Sequence, residues 1–214
     1  MQISWQGYSS VRIESKNGEQ ACTLVTDPFE NESSIRFPRT LEPDVAVLSH
    51  EDRAQFNLVA FQWSPFIVSD PGEYEVKGVF INGIQDPNAD EGLTRPIIYR
   101  ITTEGMNLAF LGGIKRKLTN TELEQLENID ILLLPVGGGD VLDPDKASDV
   151  ISDVEPRIVI PLSYAIPGMK KKLGTIEAFC KHMGGGECET MNKLKIQKKD
   201  LPAENVLVAV LERG

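Results

Sequence analysis

Histidine is almost absent from this chain: there are two in 214 residues, beside three cysteines. Two imidazoles exclude a multi-histidine metal centre built by one chain, and an odd, small number of cysteines fits reduced thiols better than a disulfide framework. Basic side chains are also short, 22 against 32 acidic ones, and the resulting net charge of −10 disfavours general nucleic-acid binding. No apolar run approaches the roughly 18 residues of a spanning helix. The opening Met1-Gln2-Ile3-Ser4-Trp5-Gln6 is too polar for a signal peptide. These absences lead to the expectation of a cytoplasmic protein without membrane contact. There is no internal repeat or linker-like segment either, and 41% hydrophobic residues at this length suit a single domain over 1–214 with a sizeable core.

What is present is a succession of short strands. Ile3-Ser4-Trp5 and Ser10-Val11-Arg12-Ile13-Glu14 alternate apolar and polar residues, and Lys16-Asn17-Gly18-Glu19 turns the chain into Cys22-Thr23-Leu24-Val25-Thr26. Asp44-Val45-Ala46-Val47-Leu48-Ser49 has the continuous apolar centre of a strand buried on both faces, with His50 at its carboxyl end. Phe66–Ser69, a run from Tyr74 to Ile81, Ile97–Ile101 and Met106–Leu111 continue the pattern, with a turn-rich loop at Asp86–Gly92 and a hairpin signal at Thr103-Glu104-Gly105. From about residue 119 strands alternate with helices. Thr119 or Thr121 caps a helix through Leu123, Leu126 and Ile129. Asp143-Pro144-Asp145 opens a second helix with Ala147, Val150, Ile151 and Val154 inward, and a third runs near 172–183. Strands at 130–135, 157–162 and 206–211 complete a layered α/β sandwich.

Several runs, in order, resemble the metallo-β-lactamase superfamily, and within it the small proteins related to ascorbate-6-phosphate lactonase and to uncharacterised metal-dependent hydrolases. They are Trp5-Gln6-Gly7-Tyr8-Ser9-Ser10-Val11-Arg12-Ile13, Val25-Thr26-Asp27-Pro28-Phe29, the strand ending at His50, Pro71-Gly72-Glu73-Tyr74-Glu75-Val76-Lys77-Gly78-Val79, and Leu134-Pro135-Val136-Gly137-Gly138-Gly139-Asp140. The resemblance implies a four-layer αββα sandwich with its site where strand ends converge between the sheets. It also implies a His-x-His-x-Asp-His motif, further histidines and a bridging aspartate, which together bind two metals and activate a water.

Position by position, most of that set is missing. The motif reads His50-Glu51-Asp52-Arg53-Ala54-Gln55, Gly113 stands where relatives carry the bridging aspartate, and Ser163 stands where they carry a histidine. Loss of outer partners alone costs a metal site about 10- to 100-fold in affinity. The expectation is therefore a degenerate site, a pseudoenzyme with no metal cofactor, whose relic cleft is marked by Asp27, His50, Asp52, Gln55, Gly113 and Ser163. The alternative is a lactonase- or phosphodiesterase-type hydrolase with one Zn, Mn or Fe held by His50 and Asp52, Asp27 adding an oxygen.

Other signals are weaker. Cys180 and Cys188 with His182 lack the spacing and ligand count of a zinc site, and Gly184-Gly185-Gly186 reads as a helix stop and turn. Gly137-Gly138-Gly139 lacks the lysine and hydroxyl residue of a phosphate loop, and Ser163-Tyr164 has no neighbouring base. Two basic clusters, Lys115-Arg116-Lys117 and Lys170-Lys171-Lys172, stand out against the acidic average. If both flank the cleft they form a positive lip for a small anionic ligand, such as a phosphorylated sugar or nucleotide. A homo-oligomer is the remaining expectation on partners.

Overall fold

The computed structural model describes residues 1–32, 35–88, 95–184 and 188–214. Its first sheet begins with a meander: β1 (Gln2–Gly7), β2 (Ser10–Asn17) and β3 (Gln20–Thr26) pair antiparallel, because Tyr8 and Gly18 turn with φ of +49° and +62°. β4 (Val45–Val47) and β5 (Phe66–Val68) then add in parallel beside β3.

The second sheet contains β6 (Gly72–Val76), β7 (Val79–Ile84), β8 (Ile98–Thr103) and β9 (Met106–Phe110), joined antiparallel. β10 (Ile131–Pro135) and β11 (Ile158–Leu162) follow in parallel. β12 (Cys188–Met191) and β14 (Leu207–Leu211) close that edge, while β13 (Leu194–Lys195) crosses to pair with β1. The orders are β13-β1-β2-β3-β4-β5 and β12-β14-β11-β10-β9-β8-β7-β6.

The alternation of each strand decides which face meets the other sheet. Ile13, Leu24, Val45 and Val47 of the first sheet share one core with Ile81, Ile101, Leu108 and Phe110 of the second. Of the helices, α1 (Asn120–Gln125) packs Leu123 against that core, α2 (Pro144–Val154) adds Ala147, Val150 and Ile151 to it, and α3 (Ile176–His182) adds Phe179. Over the six-stranded sheet the outer layer is different in kind. There Val25 and Ala46 pack with Phe29, Ile35, Phe37, Leu41 and Phe61, carried by irregular chain and two single 3-10 turns at 53–55 and 58–60 rather than by a long helix. No helix among the described residues is long and apolar enough to cross a membrane.

Caps place the helices where their sequences allow. Thr119, not Thr121, accepts the Glu122 amide, and Glu122 returns a carboxylate to the Thr119 amide, so α1 starts in a reciprocal cap and stops at Leu126, short of Ile129. Thr119→Ala is expected to cost about 1 kcal/mol, read as a lower midpoint in urea. The third helix is shorter than 172–183, since Thr175 caps it and Gly174 precedes that cap.

Two further expectations change. The run from Tyr74 to Ile81 is two strands, because Lys77 and Gly78 both take positive φ, +51° and +74°, and reverse the chain. Cys180 and Cys188 form a disulfide instead of staying reduced: the end of α3 and the start of β12 hold their Cα atoms 6.1 Å apart, within bridging range, and only Cys22, buried, is free. The thiol count is thus no argument for a reducing compartment. His182 pairs with Asp145 at 3.3 Å. Residues 89–92 of the expected loop and Gly185-Gly186 of the expected turn lie outside the described residues.

Candidate functional site

In a parallel sheet the carboxyl ends of the strands are where a crevice opens, and here both sheets direct those ends to one place. Asp27 follows β3, Ser49 and His50 follow β4, Gly113 follows β9, Val141 lies beyond β10 and Ser163 follows β11. All six line one cleft of about 730 Å³. Tyr8 and Ser9, from the β1–β2 turn, join the lining beside Ser163, and Phe29 and Phe56 add aromatic surface.

The floor is a buried carboxylate. Asp27 leaves β3 with φ of +32°, and its Oδ1 and Oδ2 accept from the Ser49 amide at 2.7 Å and the Ser49 hydroxyl at 2.6 Å. Burial pushes its pKa up to about 7 against the opposing pull of those two donors. The sequence marks Asp27 as a cleft residue; its clasp by Ser49 and its burial beneath the cleft are additional.

Ser163 is held more tightly than its place in the sequence suggests. Its φ is +52°, its amide donates to the Tyr8 carbonyl at 3.0 Å, and its Oγ lies 2.9 Å from Ser9 Oγ. The same Tyr8 carbonyl accepts from Trp5 Nε1 at 2.9 Å, and Trp5 packs on Tyr164 with ring centroids 4.6 Å apart. A Cβ on Gly137 would collide with the Ser163 carbonyl, so glycine there lets β10 and β11 end side by side. Left-handed residues other than glycine cost about 1–3 kcal/mol each and persist where surroundings over-determine them. Tyr8, Asp27 and Ser163 are three such residues at one cleft.

His50 also lines the cleft, with its Nδ1 accepting the Asp52 amide at 3.0 Å and lying 3.4 Å from Gln55 Nε2. Gln55 is in the lining, whereas Asp52 is not: its Oδ1 accepts the Ala54 amide at 3.1 Å and caps the turn at 53–55. Asp70, at the end of β5, faces Arg53 and Ser69 outside the lining. The expected relic residues Asp27, His50, Gln55, Gly113 and Ser163 are therefore together, and Asp52 stands beside them without facing in.

The basic lip is divided. Lys115, Arg116 and Lys171 line the cleft, while Lys117, Lys170 and Lys172 do not. Lys117 instead pairs with Asp149 on α2 at 2.6 Å, since the chain after β9 turns toward that helix. Arg116 forms a fork with the buried Glu122 at 2.7 and 2.8 Å, and Lys115 lies 3.5 Å from exposed Asp140. Lys170 uses its amide to bond Glu32 at 3.0 Å, and Lys171 Nζ sits 5.8 Å from the Tyr8 ring centroid. Glu32 also accepts the Tyr8 hydroxyl at 2.7 Å, and that bond holds its carboxyl below the usual range. Tyr8, Ser9 and Glu32 are site residues that sequence reasoning did not single out. The signal for Tyr8 and Ser9 was the Gly7-Tyr8 turn, which any hairpin of this kind needs, whereas Glu32, in the irregular chain after β3, carried none.

A dinuclear centre requires several imidazoles and a bridging carboxylate. Among the described residues no group of three or more His, Cys, Asp or Glu is placed to hold a metal ion. His50 has its Nδ1 engaged, both Asp27 oxygens are engaged by Ser49, and Gln55, Gly113 and Ser163 offer no imidazole or carboxylate. These donors do not fit such a centre.

Comparison with known proteins agrees with this geometry at the level of fold. The profile of the β-lactamase superfamily domain matches residues 2–163. A UPF0173 metal-dependent hydrolase of Lysinibacillus sphaericus is 24% identical over 197 residues, covering 77% of this chain and 85% of that one. A metallo-β-lactamase superfamily structure from Thermotoga maritima is 26% identical, with 99% of each chain covered and a TM-score of 0.77. The metallo-β-lactamase fold protein YhfI of Bacillus subtilis, at 10% identity, covers 100% of this chain and 97% of its own with a TM-score of 0.63. Converging strand ends, the cleft between two sheets and a family match over three quarters of the sequence place this chain in the metallo-β-lactamase superfamily.

Proposed function

We propose that this protein is a binding member of a hydrolase superfamily, taking a small organic anion into the cleft without dinuclear metal chemistry. The observation that carries the reading is the side-chain set at the cleft floor: one imidazole with Nδ1 engaged, a carboxylate clasped by Ser49, and hydroxyl, amide and glycine elsewhere. What such a floor offers a ligand is hydrogen bonds. If Ser9 donates to Ser163, the better of its two contacts at 2.9 Å against 3.4 Å to the Gly112 carbonyl, then the Ser163 proton is left to donate into the cleft. A hydroxyl that is itself receiving a hydrogen bond donates more strongly.

Charge around the mouth is mixed, with Glu30, Glu32 and Asp140 beside Lys115, Arg116 and Lys171. That arrangement supports one anionic group placed at Lys171 and Lys115, and a hydroxyl-bearing body against the aromatic surface and Ser163. A phosphorylated sugar has this form. Isothermal titration with ribose 5-phosphate is expected to give binding that Ser163→Ala and Lys171→Ala each weaken about tenfold, the loss of one charge-assisted or cooperative hydrogen bond. Absence of binding by the unaltered protein, or equal binding by all three, rejects the ligand class.

A second reading has support of its own, because the Lysinibacillus relative is named a metal-dependent hydrolase. In that reading His50 and Asp52 hold one Zn, Mn or Fe. Elemental analysis of protein purified without added metal separates the two. The binding reading expects no stoichiometric metal, whereas a stoichiometric ion lost in His50→Ala establishes the hydrolase reading instead.

A further inference from the structure

The outer face of β6, β7 and β8 carries an arrangement that a monomer leaves unused. Register places Glu73, Asn82 and Arg100 in one row across the three strands, and Glu75, Phe80 and Thr102 in the next. Because the strands alternate, Tyr74, Ile81, Tyr99 and Ile101 point to the core, and these six point away from it. The β6 side and the centre of this face are open: Phe80 keeps 55% of its surface exposed, and Glu73 and Glu75 are exposed, while Asn82, Arg100 and Thr102 are partly covered. Beyond β8 the face ends, since Asn107 on β9 donates to the Asn128 carbonyl of the chain after α1.

Arg100 is the unusual member. It is half-buried, its Nε is inaccessible and has no hydrogen-bond partner, and no carboxylate among the described residues pairs with it. A half-buried guanidinium without an acceptor is costly unless something else supplies one. The carboxylate in the same row is Glu73, and it stands two strands away, across β7, with the uncharged Asn82 between them.

A two-fold axis laid along β7 exchanges the two sides of this face. It would set β6 of one copy over β8 of the other, so that the partner's Glu73, being in the same row, meets Arg100, while Phe80 meets the partner's Phe80 at the centre. Two sheets stacked face to face keep their strands within about 30° of each other, so the rows stay in step near the axis. We propose that this chain forms a symmetric dimer through the outer face of β6–β8, with two reciprocal Arg100–Glu73 pairs flanking a central Phe80 contact. Acid on one side, base on the other and an aromatic residue between them is a self-complementary pattern, which an isologous interface needs. That self-complementarity is the reason to assign the face to a second copy.

Sedimentation velocity across a concentration series tests the assignment. The unaltered protein is expected to approach twice its 23.7 kDa, and Phe80→Ser to weaken association at least about tenfold, as removal of a central anchor does. Arg100→Glu and Glu73→Arg should each weaken it similarly by setting like charges opposite, while the double exchange, Arg100→Glu with Glu73→Arg, should restore it. Thermal melts at the lowest concentration confirm that each variant is folded. A monomer at every concentration overturns the proposal and leaves the face to another partner. So does a dimer indifferent to Phe80→Ser, or a double exchange that fails to recover association.

Discussion

Gly112→Ala is expected to destabilise the fold by about 3 kcal/mol or more, while Gly113→Ala, one residue on, changes it by less than about 0.5 kcal/mol. The two glycines follow β9 and look interchangeable in sequence. Gly112 has φ of +56°, where an L side chain costs about 1–2 kcal/mol, and a Cβ there would collide with Cβ and Oγ of Ser49. Ser49 cannot withdraw, since its amide and hydroxyl both hold Asp27. The collision therefore passes into the cleft floor, and overpacking of this kind adds about 1–3 kcal/mol. Gly113 has no positive φ and nothing within 4 Å of its would-be Cβ. Urea denaturation of both variants gives the comparison, and similar midpoints for the two would show that Ser49 yields easily. There is a functional corollary. Gly113 is the position where the resemblance implies a bridging carboxylate, and nothing lies within 4 Å of a Cβ added there, so crowding at Cβ is not what keeps a carboxylate out.

The strands were legible in the sequence where they end on a residue with a strong local preference, as at Gly18, Asp27 and Gly105, and Pro156 likewise marks the end of α2 before β11. Where punctuation sits inside an apolar run it is easily overlooked, as at Lys77-Gly78, although the phase slips there. Tyr74 and Val76 are two residues apart and so are Val79 and Ile81, but Val76 and Val79 are three apart and cannot share one face of a single strand. β12 and β13 were invisible for the opposite reason. Their stability comes from backbone pairing with β14 and β1, and Cys188–Met191 carries no apolar alternation to reveal it. In the site, Asp27, His50, Gln55, Gly113 and Ser163 could be grouped because the resemblance aligns strand ends. Direction of a long side chain leaving a loop is another matter. Lys115 and Lys117 are two residues apart, yet one lines the cleft and the other reaches α2, and only the placement of Asp149 decides that. The disulfide was missed because proximity of α3 and β12 is a tertiary fact.

Asp27 should make the protein less stable as pH rises from about 5 to 8, by about 3 kcal/mol from this one group. Its carboxyl has an ordinary value near 4 in the unfolded chain, and burial lifts it to about 7 in the fold. Between those values the folded state holds a proton that the unfolded state has released, so stability falls by about 1.4 kcal/mol per pH unit. The contribution is complete below the unfolded value and is lost once pH passes the folded one. Other carboxylates act oppositely: Asp86 and Asp143 are held below their ordinary values by backbone amides of Asn88 and Lys146, so they lose stability only on acidification. A comparison with Asp27→Asn removes them, since the variant keeps their behaviour and lacks only this titration. Denaturation at pH 5 and pH 8 should show the unaltered protein losing about 3 kcal/mol relative to the variant, and an unchanged difference between the two would refute the assignment. The proton also matters to the cleft. When Asp27 is ionised, the Ser49 hydroxyl must donate to it at 2.6 Å. When it is protonated, the carboxyl can be the donor, and the Ser49 proton is then free to turn toward a ligand. Binding of an anion should accordingly be tighter at pH 5.5 than at pH 8, and Asp27→Asn should flatten that dependence.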